Sequence, residues 1–579
     1  MLNASTENTV ENVLIFIDNL FINFILTLKV LIMFIKNTYS RFETKIQGKI
    51  KNAVIIYPYL YQNPYYVLPP IGAEYCQAGL ESLGINTKLY DMRFEESIDN
   101  IYNDIINCDL VCIYGHIEYS PLYGHFEKNI INKIFNIIPE STPIIAGGKG
   151  FFEHEQPFEK YKKIDIVTLG SPDIPLQSLF KNQKIDSISN IIYRNLDNHP
   201  IKNPREYLDL SENIFPRRDL RNPKYLYHAG SNKLDMIWSG YGCNNRCTFC
   251  NEFGKDYDRS PMKYRGRSSQ SLYNEIKTVE AGIVAIYDDN ITTNMTVLSE
   301  LSDLLIENKI YKSYVAAGRV SHILKAGLET IKKLERGGFI ALSLGMESVK
   351  DDTLKLYRKG LNQKMLVNVM KLLNQTNIIV NGTFLLGSPG ETESDMDKIS
   401  EFARKYKLDN ISTNRLRIEP GSVLYNLVND ANGQPIENLK RIEGDELARI
   451  KYKIKFGQRN PLRITRTFLK LYKNKGLKTD PTYIIINAIE LFIKHTWIEK
   501  SLVIPLILKI FKFLFKLSIT RHLTRLSATL FMPLIDLLLF FGSLINRVKP
   551  DKFNILPSIF LILKDNLFEK HRELAQKMK

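Results

Sequence analysis

The residues best suited to chemistry in this 579-residue chain are three of its six cysteines. Cys243, Cys247 and Cys250 lie in GYGCNNRCTFC, a C-x3-C-x2-C spacing. An odd number of thiols cannot all pair with one another. No small-residue cleavage site follows the first apolar stretch, so neither a cleaved secretory signal nor a set of structural disulfides is expected. A zinc ion usually takes four ligands, and no other Cys or His lies close enough in sequence to complete the set locally. Three thiolates on one loop suit an iron–sulfur cubane, whose fourth iron then stays open for another ligand. Asn244, Asn245, Arg246 and Thr248 between them are polar loop residues, which sets the trio apart from a chance group of core thiols.

Such a loop needs a scaffold. From residue 234 the pattern alternates strand and helix. DMIWS reads as a first strand leading directly into the cysteine loop. IVAIYDDN, YVAAGR, FIALSLGMES, IIVNGTFLLGSPGE and ISTNRLRIEP follow as strands two to six, each after a helical segment. Six strand–helix units predict a partial (βα)6 TIM-type barrel, in which chemistry gathers at the carboxyl ends of the strands. Upstream, AVIIY, TKLYDM, LVCIYG, PIIAGG and IDIVTLG read as buried parallel strands with helices between them. They predict a separate α/β domain, a doubly wound, flavodoxin- or Rossmann-like sheet, with ligands expected beyond its strand ends. The expected division is 1–48 as an amphipathic membrane-associating helix, 52–185 as the α/β domain and 186–231 as linker. The barrel is expected at 232–455, and a helical, hydrophobic and basic extension at 456–579.

The net charge of +16 favours an anionic partner, nucleic acid or an anionic membrane surface. Lys count alone is weak evidence in a chain so rich in Ile, Asn and Lys. Its placement says more. In 12–36, Asp18, Lys29 and Lys36 fall on one face of a helix, and Asn19, Asn23 and Thr27 widen that face. In 502–517, Lys509, Lys512 and Lys516 mark a basic face on an otherwise apolar helix. Segment 526–545 is long enough to cross a bilayer, but Pro533 and Asp536 near its middle disfavour a span. Helices lying on or dipping into a membrane are expected.

The cysteine spacing, with Phe249 just before the last cysteine, resembles the radical S-adenosylmethionine superfamily. The resemblance implies a [4Fe-4S] cluster on Cys243, Cys247 and Cys250. It implies S-adenosylmethionine bound to the open iron through its amino and carboxylate groups, and reductive cleavage to a 5'-deoxyadenosyl radical. It also implies an electron donor, a reduced flavodoxin or ferredoxin. The likeness continues at the strand ends. Asp288, Asp289 and Asn290 end strand two, where the family places groups facing the methionine amine, although Asn290 also suits a helix cap. Arg319 ends strand three and is expected to pair with the cofactor carboxylate. Gly345, Glu347 and Ser348 form the G-x-E-S of strand four, with Glu347 expected on the ribose hydroxyls or the amine. Gly387, Pro389, Gly390 and Glu391 match the strand-five turn that approaches adenine, and EPGSVLY matches the strand-six ending with Ser422 in place of Thr.

The N-terminal layout, through PPIGAEYCQAGLESLGINTKLYDM and STPIIAGGKG, resembles the cobalamin-binding domain that precedes many radical S-adenosylmethionine domains. It lacks D-x-H-x-x-G, so any cobalamin is expected to sit without a lower His ligand. Gly147, Gly148 and His116 are candidate contacts. Cys76, Cys108 and Cys112 are read as core thiols, because their spacing does not match the second cluster of methylthiotransferases. The combined expectation is an enzyme at the cytoplasmic membrane face. It would methylate, cyclise or couple an unactivated carbon of a hydrophobic, lipid-like substrate. The rivals are a radical enzyme modifying nucleic acid or a soluble natural-product precursor, and a non-catalytic cobalamin or membrane sensor. Nucleic acid is disfavoured, since no RNA-binding module is recognisable; the intact cysteine motif argues against the sensor.

Overall fold

The computed structural model describes residues 40–457 apart from several loops, the longest being 59–68, 116–127, 149–160 and 251–263, together with residues 24–29 and Lys470. Two seven-stranded sheets carry the architecture.

The first contains β1 (Asn52–Tyr57), β2 (Asn86–Asp91), β3 (Leu110–Tyr114), β4 (Ile144–Gly147), β5 (Ile166–Thr168), β6 (Ile191–Arg194) and β7 (Pro200–Lys202), in the order β2-β1-β3-β4-β5-β6-β7. β1 to β5 are parallel. The 2-1-3-4-5 order is the flavodoxin-like, doubly wound arrangement. Its cause is visible in the period of two. Val54, Ile56, Val111, Ile113 and Ala146 join one core with Ile101, Ile105, Ile131 and Ile134 of helices 99–107 and 128–137. Ala53, Ile55, Leu110, Cys112 and Ile145 join the other with Ala73, Cys76, Leu80 and Leu176 of helices 71–81 and 173–180. Successive side chains thus meet helices on opposite faces, so β1, β3 and β4 are apolar along nearly their whole length instead of alternating. Cys76 and Cys112 are the core thiols expected of them; Cys108 is half-buried.

The sheet runs on past residue 185. β6 and β7 add antiparallel through a turn at Asn195–His199, with Asn198 at φ 70°. They lie within the stretch expected as linker, where three- and four-residue strands around DNHP leave little periodicity to read. Residues 40–46, grouped in sequence with the membrane-facing helix, belong to this domain as well. Phe42 is buried in its core and Arg41 pairs with buried Asp165 at 2.5 Å.

The second sheet contains β8 (Tyr227–Ala229), β9 (Asn232–Ile237), β12 (Ile283–Ile286), β13 (Ser313–Arg319), β14 (Phe339–Glu347), β15 (Ile379–Leu386) and β16 (Asn410–Arg415); between β9 and β12 come the short antiparallel pair β10 (Gly240–Tyr241) and β11 (Arg265–Gly266). The six long strands are parallel and follow sequence order, with β8 antiparallel at the β9 edge. Helices 269–278, 295–307, 320–336, 363–373 and 393–405 supply the other side of a single large core.

Among the described residues no helix is long and apolar enough to cross a membrane. The segments 502–517 and 526–545 lie outside the described residues, as does 12–36 apart from 24–29, where Phe24, Leu26 and Leu28 are exposed. From the C-terminal extension, buried Lys470 reaches Asp409 at 2.7 Å and the Ile378 carbonyl at 2.9 Å.

Candidate active site

The site lies where the carboxyl ends of β9 to β16 converge. β9 delivers the chain through Trp238 and Ser239 into the cysteine loop. Asp288, just past β12, accepts from both the backbone N and the hydroxyl of Ser239. It therefore braces the root of the loop. The far end is fixed by Thr248, whose N–H and hydroxyl donate to the carbonyls of Tyr357 and Leu356 at 3.0 and 2.8 Å, while its own carbonyl accepts from Leu424. Phe249 packs edge-on against the buried Tyr357 ring, centroids 4.9 Å apart. This gives the aromatic before Cys250 a mechanical role: it holds the loop to the end of helix 351–356. Ser422, in the PGSVLY ending, caps helix 423–428 through Tyr425 N.

The thiols are surrounded by N–H donors. Cys243 Sγ accepts from Asn245 Nδ2 at 3.1 Å and from Asn290 Nδ2 at 3.5 Å. Cys247 Sγ, nearly buried, accepts from Arg319 Nη1 at 3.2 Å. Cys250 N–H donates to the Cys247 carbonyl. Among the described residues no three His, Cys, Asp or Glu converge on a point that could hold a single ion. A cubane does not ask for that. It spreads its thiolates over three separate irons, so its ligands stand further apart than those of a mononuclear site. A loop of three cysteines whose sulfurs face amide and guanidinium donors fits a cluster that carries negative charge.

Asn290 does not cap a helix with its side chain; Asn294 does so for 295–307. Instead its amide bridges Cys243 and the Thr292 hydroxyl. Arg319 is set by its backbone N–H on Thr292 Oγ1 and by Nη2 on the Lys359 carbonyl at 2.5 Å, which leaves Nη1 on Cys247. Asp289 and His116 lie outside the described residues.

Strand four ends in strain. Glu347 has φ 62° where the register with β15 shifts between Gly345 and Glu347. That geometry turns the Glu347 carboxylate onto Lys359 Nζ, 2.6 Å away, both side chains being buried. Gly345 lies beneath this pair. A Cβ there would come within 2.6 Å of Glu347 Oε1 and 2.8 Å of Lys359 Nζ, so only Gly leaves room for it. Lys359 is the functional residue that sequence reasoning missed. It lies in YRKG, beyond helix 351–356, and Arg358 and Gly360 at φ 49° and 68° swing it back under the strand ends.

Glu391 closes the far side. Its carboxyl accepts from the Ser388 N–H at 3.3 Å and the Ser348 hydroxyl at 3.2 Å, tying the strand-four and strand-five turns together. Burial pushes its pKa up to about 7. Tyr357 hydroxyl bonds Ser388 in the same group. Gly387 abuts the Ile442 carbonyl, whereas Gly390 faces open space and Pro389 is buried.

The α/β domain meets this site directly. Tyr75, in the helix after β1, stacks on Trp238 with centroids 5.4 Å apart, and Ile71 and Met236 complete the contact. Around it runs a buried ionic ladder. Glu74 pairs with Arg221 at 2.5 Å, Arg221 with Asp235 at 2.5 Å, Asp235 with Arg218 at 2.9 Å and Arg218 with Glu275 at 2.6 Å. At β4 the ring of Tyr114 fills the space beside Gly147, where a Cβ would stand 2.1 Å from it, and Gly148 abuts the Gly115 carbonyl.

Residues 239–403, from the root of the cysteine loop through strand five and its helix, match the radical SAM superfamily. Over 415 residues the chain is 23% identical to an uncharacterized methyltransferase of Pyrococcus horikoshii, covering 66% of this chain and 86% of that protein. Over 339 residues it is 22% identical to the anaerobic magnesium-protoporphyrin IX monomethyl ester cyclase of Synechocystis sp., covering 56% of this chain and 65% of the cyclase, just under two thirds of its length. Two solved structures share the fold. TsrM, a radical S-adenosylmethionine methyltransferase from Kitasatospora setae solved with cobalamin and a [4Fe-4S] cluster, aligns at a TM-score of 0.54 and 16% identity over 66% of this chain and 78% of that one. OxsB, a cobalamin-dependent S-adenosylmethionine radical enzyme solved with aqua-cobalamin and S-adenosylmethionine, aligns at 0.55 and 14% over 90% and 83%.

Proposed function

We propose that the chain is a cobalamin-type radical S-adenosylmethionine enzyme that methylates, cyclises or couples an unactivated carbon. The observation that carries this reading is the join at Tyr75 and Trp238. Tyr75 lies in the first turns of the helix that follows β1, at the carboxyl edge of the α/β sheet, while Trp238 lies at the carboxyl end of β9, five residues before Cys243. The ligand-bearing edges of the two sheets therefore adjoin, and a cofactor on one edge stands beside a cofactor on the other. Cys243, Cys247 and Cys250 would hold the cluster. Glu347 and Lys359 offer one anionic and one cationic group for the ammonium and carboxylate of S-adenosylmethionine, and the open face at Gly390 leaves backbone accessible to a flat base. When bound, the cluster supplies the electron that cleaves the cofactor's sulfonium. The chain's residues hold the loop, orient the cofactor and keep water out.

The substrate is proposed to be hydrophobic and lipid-like, reached from an anionic membrane surface. Support comes from the amphipathic character of 12–36, the basic face of 502–517, the apolar run 526–545 and the exposed Phe24, Leu26 and Leu28. Anaerobic reconstitution with iron, sulfide and cobalamin tests the cofactors. About four irons per chain and one retained cobalamin are expected, with a Co(II) electron paramagnetic resonance spectrum free of axial-nitrogen splitting. Failure to retain cobalamin would remove methyl transfer through cobalt. Lipid extracts compared with and without the active protein test the substrate class. Vesicle binding that is absent, or indifferent to lipid charge and salt, would remove its main support.

A further inference from the structure

We infer that Arg319 is a positioning residue for the cluster itself: its guanidinium, donating to Cys247 Sγ, sets the ease with which the cluster accepts an electron. The inference rests on the proposed cluster on Cys243, Cys247 and Cys250, and it differs from the role expected in sequence, a partner for the S-adenosylmethionine carboxylate.

Three observations support it. First, the side chain is locked. Nη2 donates to the Lys359 carbonyl at 2.5 Å and the backbone N–H to Thr292 Oγ1 at 3.0 Å, so Nη1 is held on Cys247 at 3.2 Å. Lys359 is fixed in turn by its ion pair with Glu347, so the carbonyl that aims the guanidinium belongs to a braced turn. Second, the charge is uncompensated. Arg319 is only 7% exposed, its Nε has no hydrogen-bond partner, and among the described residues no carboxylate pairs with it. A buried guanidinium without a counter-charge is costly, so the site is built for an anion that arrives with the cofactors. Glu347, the carboxylate of the strand-four turn, is committed to Lys359. Third, Arg319 is not alone in facing the sulfurs. Asn245 and Asn290 donate to Cys243 at 3.1 and 3.5 Å, so Cys243 and Cys247 carry side-chain N–H donors from three different parts of the chain. The Arg is the only charged one of these donors.

Hydrogen bonds and positive charge at cluster sulfurs favour the more negative, reduced state, and so raise the reduction potential. Removing Arg319 should therefore make the cluster harder to reduce. The test is a redox titration of the reconstituted full chain without S-adenosylmethionine, followed by electron paramagnetic resonance of the reduced cluster. For Arg319→Met, the ratio of reduced to oxidised cluster at a fixed potential should fall about tenfold, which for a one-electron couple is about 59 mV. Arg319→Lys should shift it less and in the same direction, because one ammonium cannot serve both the Lys359 carbonyl and Cys247. Arg319→Lys also decides the matter if the Met variant fails to take up iron. An unchanged potential in the variant that loads would overturn the inference; unchanged potential with weakened S-adenosylmethionine binding would give Arg319 to the cofactor carboxylate. A wild-type chain that assembles no reducible cluster would overturn the underlying reading instead.

Discussion

The two sheets end differently at the edges where they meet. The edge of the second sheet is crowded with charged side chains, each hydrogen-bonded: Arg319 to a thiol, Lys359 to Glu347, Asp288 to Ser239 and Glu391 to two serines. Among the described residues the α/β edge combines tyrosine, threonine and glycine with a buried Asp91–Arg93 ion pair. Tyr57 lies under the Arg93 guanidinium at 4.7 Å, and Tyr114 bonds Thr168 and fills the place of a side chain at Gly147. The first edge suits a small, charged cofactor gripped by individual groups. The second suits a broad cofactor held over a flat surface, where shape decides more than charge. Side chains at the second sheet's edge can therefore be changed one at a time with separate consequences, whereas a change at the α/β edge acts through packing, since Tyr114 already fills the space beside Gly147.

The contrast breaks first, and hardest, at the cysteines. Replacing Cys243, Cys247 or Cys250 by Ala should abolish formation of 5'-deoxyadenosine and most iron uptake, while cobalamin retention by the α/β domain stays unchanged. Parallel loss of cobalamin in all three variants would show that the two edges are not separable. Undiminished 5'-deoxyadenosine from the triple variant would remove the cluster assignment altogether.

Next in size is the Glu347–Lys359 pair. Lys359→Met leaves a buried carboxylate without its partner, a loss of about 3–5 kcal/mol in unfolding free energy. The Glu347→Leu, Lys359→Met double variant should recover much of that stability, because neither charge is then stranded, yet it should bind S-adenosylmethionine poorly. Denaturant unfolding of the four proteins, read as a double-mutant cycle, gives the coupling energy. Full cofactor affinity in the double variant would make the pair structural only.

Gly147→Ala is the matching test on the other sheet. A Cβ 2.1 Å from the Tyr114 ring forces the ring aside, an overpacking loss of about 1–3 kcal/mol. Cobalamin retention should fall, and iron content should not. Tyr114→Phe, which removes only the 2.7 Å bond to Thr168, should have a smaller effect on both stability and retention.

How much of this could be read beforehand differs between strands and side chains. In the first sheet β1, β3, β4 and β5 coincide with apolar runs, because a strand buried on both faces has few polar interruptions, whereas β14 and β15 of the second alternate between buried and half-buried positions and β2 and β16 carry polar residues within them. The cysteine loop was legible because three thiols at that spacing have few other uses. The pairings inside the site were not. Lys359 looks like an ordinary lysine past a helix end, and only the left-handed Arg358 and Gly360 turn it inward. Gly360 after a basic residue was the one available signal. Arg319 was legible as a strand-end arginine, but its aim at Cys247 depends on the Lys359 carbonyl, forty residues away. β6 and β7 were missed because they are short; β6 pairs with β5 across a distance that local pattern does not encode, and β7 pairs with β6.

The smallest effect sharpens the comparison most, because it titrates. Glu391 is buried at the edge of the second sheet, and desolvation raises its pKa from 4.5 to about 7 despite the donors on its oxygens. The folded chain therefore binds this proton more tightly than the unfolded chain does. The resulting stability is fully present below pH about 4.5 and is lost as pH rises through about 7. Between pH 6 and pH 8 the unfolding free energy should fall by about 1 kcal/mol from this group alone. Glu391→Gln, which keeps the shape of the protonated acid, should abolish that part of the slope and leave the chain relatively more stable at pH 8. The same turn carries Ser348 and Ser388, so S-adenosylmethionine affinity in the wild type should follow the titration while that of the Gln variant does not. No counterpart is expected at the α/β edge, where Tyr114 is held neutral by burial far above neutral pH. Cobalamin retention should accordingly be flat from pH 6 to pH 8 in both proteins. Identical pH slopes of unfolding for wild type and Glu391→Gln would mean that the carboxyl is ionised throughout, and that its bonds to Ser348 and Ser388 outweigh its burial.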